Sequence, residues 1–73
     1  MFERRVYHVL RRDDATWEVL KEGFTRPHIV RATKAEAILV AKRLAKLAPN
    51  ARVIVHSPDN HIEREFSYWA SFV

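Results

Sequence analysis

Thr33-Lys34-Ala35-Glu36 opens the segment that most constrains what this chain can fold into. The Thr-x-x-Glu spacing is that of a capping box. Thr33 accepts a bond from a free first-turn amide, and Glu36 reaches back to the amide of Thr33. Beyond the cap, Ala37, Ile38, Ala41, Leu44, Ala45 and Ala48 recur as one stripe at helical spacing. Pro49 and Asn50 stop the run, so the spacing predicts a helix over 33–48. Most of the stripe is alanine, so the helix can lie very close to whatever it packs on. Lys42, Arg43 and Lys46 fall on the opposite side, in the C-terminal half where cations favour the helix dipole.

The flanking sequence supplies a sheet for that helix. Arg5 to Arg11 is rich in β-branched and aromatic residues and reads as a strand, as does Trp17 to Lys21. Arg12 to Thr16 suits a hairpin turn between them. Gly23 ends the second strand with a positive φ. Phe24 to Ala32 contains Pro27 and reads as a loop, with Ile29 and Val30 as a short extended piece. Arg52 to His56 is a third strand. Ser57-Pro58-Asp59-Asn60 has the composition of a type I turn, and His61 to Phe66 is a fourth strand. The expected fold is α+β in the order β-β-α-β-β. Its four-stranded antiparallel sheet has strand order 2-1-3-4 and carries the helix on one face in a right-handed crossing.

With 73 residues the chain allows one domain, 1–73, with its core in 5–68 and an apolar tail at 69–73. Cysteine is absent, which excludes disulfides and thiolate metal sites and agrees with a reducing compartment. Arg4 and Arg5 are followed by no long apolar core, so the N-terminus does not read as a signal peptide. Lys42, Arg43 and Lys46 interrupt the longest apolar stretch, so no membrane span is expected. The expected location is the cytoplasm.

Tyr7-His8-Val9, Trp17-x-Val19, Thr33-Lys34-Ala35-Glu36-Ala37 with Ala41, Val53-x-Val55-His56 before Asp59 and Ile62, and Ser67-Tyr68 form an ordered set. Over residues 6 to 68 it resembles the small bacterial family called domain of unknown function 2188. Thr16 stands where that family commonly has Gly before the Trp, and Asp59-Asn60 where it commonly has Asp-Gly. Asn tolerates the left-handed region, so the turn survives. The resemblance implies the fold and a cytoplasmic location, and it adds no activity.

The residues themselves argue against an enzyme. His8 and His56 lie on strands expected to be neighbours, but a metal would need a third or fourth ligand, such as Glu63 near His61. Partly buried histidines holding hydrogen bonds explain the pair better. His56-Ser57-x-Asp59 contains the residue types of a hydrolase triad, yet a tight turn does not place the base between nucleophile and acid. Glu63 and Glu65 share a strand face with no cleft to shift a pKa, and they suit pairing with Arg or Lys across the sheet. No catalytic residue, cofactor or metal ligand is assigned.

Two binding readings follow. The formal net charge is +4 and the sequence pI about 10.0, which invites a polyanion. The candidate contacts to DNA or RNA are Arg4, Arg5, Arg11, Arg12, Arg26, Arg31, Lys42, Arg43 and Lys46, with Tyr7, Trp17, Phe66 or Trp69 for stacking. Asp13, Asp14, Glu18, Glu63 and Glu65 are interspersed, so a solvated mixed-charge surface is the plain alternative. The second reading is a protein-interaction module. One helix covers only one sheet face, and Val6, Leu10, Leu20, Ile54 and Phe66 are out of phase with the core positions. The surface of Leu20, Ile54, Phe66, Trp69 and Phe72 would then face a second copy in a homodimer, or another protein, unless the tail folds back over it.

Overall fold

The computed structural model describes residues 5–47 and 50–69, with the backbone alone at Trp69. The chain runs through β1 (Arg5–Arg11), β2 (Trp17–Lys21), β3 (Ile29–Arg31), α1 (Lys34–Lys46), β4 (Asn50–His56) and β5 (Ile62–Trp69). One sheet has the order β3-β2-β1-β4-β5. The expected relative order of the four long strands holds, but the sheet is five-stranded and mixed, not four-stranded and antiparallel. β1 and β4 pair in parallel, and the other ladders are antiparallel.

Both corrections have one cause. Ile29, Val30 and Arg31 pair with Val19, Glu18 and Trp17, so the extended piece is an edge strand. It reverses the chain once more before α1. The helix then runs back along the sheet and releases β4 in the direction of β3, which is also that of β1. With only two strands before the helix, β4 would have opposed β1.

Thr33 is extended (φ −123°, ψ 155°), and its hydroxyl oxygen accepts the amide of Glu36 at 3.2 Å. The reciprocal half of the capping box is different from the expected one. The Glu36 carboxylate accepts the Thr33 hydroxyl at 2.9 Å instead of the Thr33 amide. Leu47 caps the other end, with Arg43 and Lys46 in the last turn. Ala48 and Pro49, expected to finish and stop the helix, lie outside the described residues.

The core lies between α1 and one sheet face. Tyr7, Val9, Trp17, Val19, Ala51, Val53 and Val55 occupy alternate strand positions and meet Ala37, Ala41 and Ala45 of the helix. The three alanines are completely buried, as close docking requires. Ile38, Leu44, Phe66 and Tyr68 pack around this cluster while staying partly exposed. α1 lies over β1, β4, β2 and β3, and so leaves the helix-side face of β5 largely uncovered. β5 runs through Ser67, Tyr68 and Trp69, further than expected, because β4 starts earlier and supplies Arg52, Ala51 and Asn50 as partners.

Among the described residues three turns use positive φ. Gly23 takes φ +91° with open space around its Cα, so the backbone angle alone selects glycine there. Asn60 takes φ 68°, the left-handed conformation expected of it, and Ala15 takes φ 67°. The Asp14 carboxylate accepts both the amide and the hydroxyl of Thr16 and so braces the first hairpin.

Candidate functional site

Strand periodicity sorts the charges by face. The register places Arg5, Arg11, Lys21, Arg31 and Arg64 in phase with Tyr7, Val9, Trp17, Val19 and Val55, on the helix-bearing side. Lys42, Arg43 and Lys46 of α1 belong to that side too. None of these eight side chains is in an ion pair among the described residues. The strand carboxylates Glu18 and Glu65 project from the other face, where each has a cation. Arg12 Nη1 lies 3.5 Å from Glu18, and Arg52 Nε lies 3.0 Å from Glu65. A net positive charge thus becomes a basic side and a largely compensated one.

The candidate contacts redistribute accordingly. Arg5, Arg11, Arg31, Lys42, Arg43 and Lys46 fall on the basic side. Arg12 is engaged by Glu18 and Asp14. Arg26 is exposed in the β2–β3 connection. Arg4 lies outside the described residues. Sequence reasoning missed Lys21 and Arg64. The signal was present in the alternation Trp17-x-Val19-x-Lys21 and Arg64-x-Phe66-x-Tyr68.

Two of the aromatic candidates are unavailable for stacking. Tyr7 is 4% exposed and Trp17 is 8% exposed, both in the core. Phe66 is half-buried on the helix-bearing side, opposite Val53, and so is not part of the open face assigned to it from the sequence. Its phase is set by the register that pairs it with core-facing Val53. Lys42 Nζ sits 4.0 Å from the Phe66 ring centre, and the Arg64 guanidinium carbon 5.6 Å from it. Tyr68, two residues along the same strand face, is also half-buried. Lys34 is neutralised by Glu63 beside the Trp17 ring.

The open face has a different chemistry. Leu20 and Ile54 flank His8 on the two neighbouring strands. His8 Nε2 lies 3.2 Å from a Glu22 carboxylate oxygen, and His8 Nδ1 lies 3.0 Å from His56 Nε2. The ionised carboxylate can only accept, so His8 donates to it through Nε2. Its Nδ1 then accepts from His56 Nε2. His56 Nδ1 is left buried with no partner among the described residues. Burial first, then the adjacent His8 ring, holds the His56 pKa below 6.5, with the Asn60 backbone acting in the opposite sense. Trp69 has only its backbone described and Phe72 lies outside the described residues, so the aromatic-tail surface has no geometry to report.

The remaining chemical candidates resolve into structural contacts. The Ser57 hydroxyl donates to Asp59, whose other oxygen meets His61 Nδ1 at 2.9 Å. The acid therefore sits in the middle, where a hydrolytic relay needs the base. The bond from Ser57, then that from His61, lowers the Asp59 pKa. The bulge between Val55 and His56 lets Glu63 reach Lys34 while Glu65 pairs with Arg52, so the two carboxylates do not share a site. Among the described residues no group of three or more His, Asp or Glu side chains is placed to hold a metal. No described helix is long and apolar enough to cross a membrane.

Compared with known proteins, residues 7–68 match the model of a family described as "Uncharacterized protein conserved in bacteria (DUF2188)". No curated protein and no solved structure gives a match.

Proposed function

We propose that this chain, which belongs to the bacterial family called domain of unknown function 2188, is a non-enzymatic binding module that engages nucleic acid through its helix-bearing side. One observation carries the reading: the cations without carboxylate partners gather on that side, while Glu18 and Glu65 are held on the other by Arg12 and Arg52. Uncompensated cations on one face attract a phosphate backbone and gain from release of its counterions. A surface with its signs evenly mixed would not. The test is fluorescence anisotropy with labelled DNA and RNA at about 50 mM and about 200 mM salt. Binding should weaken steeply between them. Absence of binding at the lower salt removes the reading.

A homodimer through the open face is the second reading. Leu10, Leu20 and Ile54 are only partly buried there, and no described helix covers them. Light scattering at increasing concentration tests it, with Leu20→Lys as the variant that should return the protein to a monomer. A wild-type chain that stays monomeric throughout removes it.

A further inference from the structure

The helix leaves β5 uncovered on the side that carries the cations, and this creates a ledge. Its floor is the helix-side face of β5, with Phe66 and Tyr68 two residues apart. Its wall is α1, with Lys42 and Lys46 one turn apart. Both aromatic side chains pack against the core and keep part of their surface exposed. Lys42 is held at the Phe66 ring, and Arg64 approaches the same ring. Two cations at one aromatic surface put positive charge where the phosphate beside a stacked base would lie.

We propose that this ledge is a site for single-stranded nucleic acid, with bases against Tyr68 and Phe66 and the adjoining phosphates on Lys42, Arg64 and Lys46. The proposal rests on the polyanion reading of the helix-bearing side and narrows it to one class of partner. Successive same-face residues on a strand are about 6.6 Å apart, so the two rings can meet neighbouring bases of an extended strand once Lys42 turns from the Phe66 ring to the adjoining phosphate. A duplex keeps its base faces stacked inside and offers this ledge only phosphates. An acidic protein offers carboxylates, but not a flat π-surface repeated beside each charge as in a nucleic-acid strand. The combination of cations with exposed ring surface therefore favours an unpaired strand over either.

The experiment compares a labelled single-stranded oligonucleotide, its duplex of equal length, heparin and poly-glutamate on the full chain. The single strand should bind most tightly. Tyr68→Leu should weaken it about tenfold, as for loss of one stacked base, and leave heparin binding unchanged. Phe66→Leu should act in the same sense. Because both rings also touch the core, the thermal unfolding of each variant is compared with wild type, and retained heparin binding marks a variant that is still folded. Equal affinity for single strand, duplex and heparin, with Tyr68→Leu silent, overturns the ledge and leaves the polyanion reading standing. Tighter binding to poly-glutamate than to the oligonucleotide also overturns it, in favour of an acidic protein. No binding to any of the four removes both.

Discussion

His8 Nδ1 and His56 Nε2 meet at 3.0 Å across the seam of β1 and β4, the one parallel ladder of the described sheet. With Glu22 at the far nitrogen of His8, the three side chains form a line, and with both rings neutral it fits one pattern of protons. His56 stays neutral, donates through Nε2 and keeps a buried bare Nδ1. A second proton on His56 would be buried beside another imidazole, with only the Asn60 backbone acting in its favour.

Stability should therefore fall on the acid side of 6.5. The His56 pKa is lowered in the fold, so between 6.5 and that lower value the unfolded chain takes up a proton that the folded chain refuses. The contribution is fully present above 6.5 and is lost as pH falls through the folded pKa. Denaturant midpoints of wild type and His56→Phe, measured from about pH 8 to about pH 5, check this. The variant should show the shallower decline, and parallel curves would count against the account.

Close docking of α1 predicts an asymmetric response to size at its alanines. Ala41 is completely buried against the sheet, so Ala41→Leu forces helix and sheet apart and should cost about 1–3 kcal/mol. Ala35 is exposed on the same helix, and Ala35→Leu should change stability by less than about 0.5 kcal/mol. Chemical denaturation of both variants measures the difference. Equal effects would mean that the stripe is not the contact.

At Ala15 the backbone, not the packing, sets the cost. Its φ of 67° is left-handed, and a side chain there costs about 1–2 kcal/mol relative to a right-handed placement. Ala15→Gly should hold or raise the melting temperature, whereas β-branched Ala15→Val should lower it clearly. A melt in which Val is as stable as Ala would show that the hairpin can adopt another turn.

The legibility of this chain followed the length of each signal. The helix, its alanine stripe and the Thr33 cap were readable because several turns repeat one pattern. The four long strands and their neighbours were readable from alternation and turn chemistry. β3 was not, because three residues hold too little periodicity to separate a strand from an extended loop, and that omission inverted the sense of β4. The ledge was half legible. Lys42 and Phe66 were in view separately, but the face of Phe66 depends on its register opposite core-facing Val53, which the strand's own alternation does not carry. Tyr68 entered no candidate site, because the fourth strand was expected to end at Phe66. Ala15 gave no warning, since alanine carries no mark of a left-handed turn.

Arg12 and Lys42 give the sharpest test of whether position or total charge drives binding. Arg12→Ala and Lys42→Ala remove the same formal charge from a chain of net charge +4. If net charge alone attracts nucleic acid, the two variants weaken binding equally. The structure gives them different surroundings: Arg12 is paired with Glu18 on the compensated side, and Lys42 sits at Phe66 without a carboxylate. Lys42→Ala should therefore lose a phosphate contact, lowering the slope of log affinity against log salt by about 0.7 for a single strand. Arg12→Ala should leave that slope unchanged. Its loss of an exposed ion pair should cost no more than about 1 kcal/mol of stability. Anisotropy titrations over a range of salt, with unfolding curves on the same samples, separate the two effects. A shared drop in slope would place the interaction on the whole surface and not on the helix-bearing side.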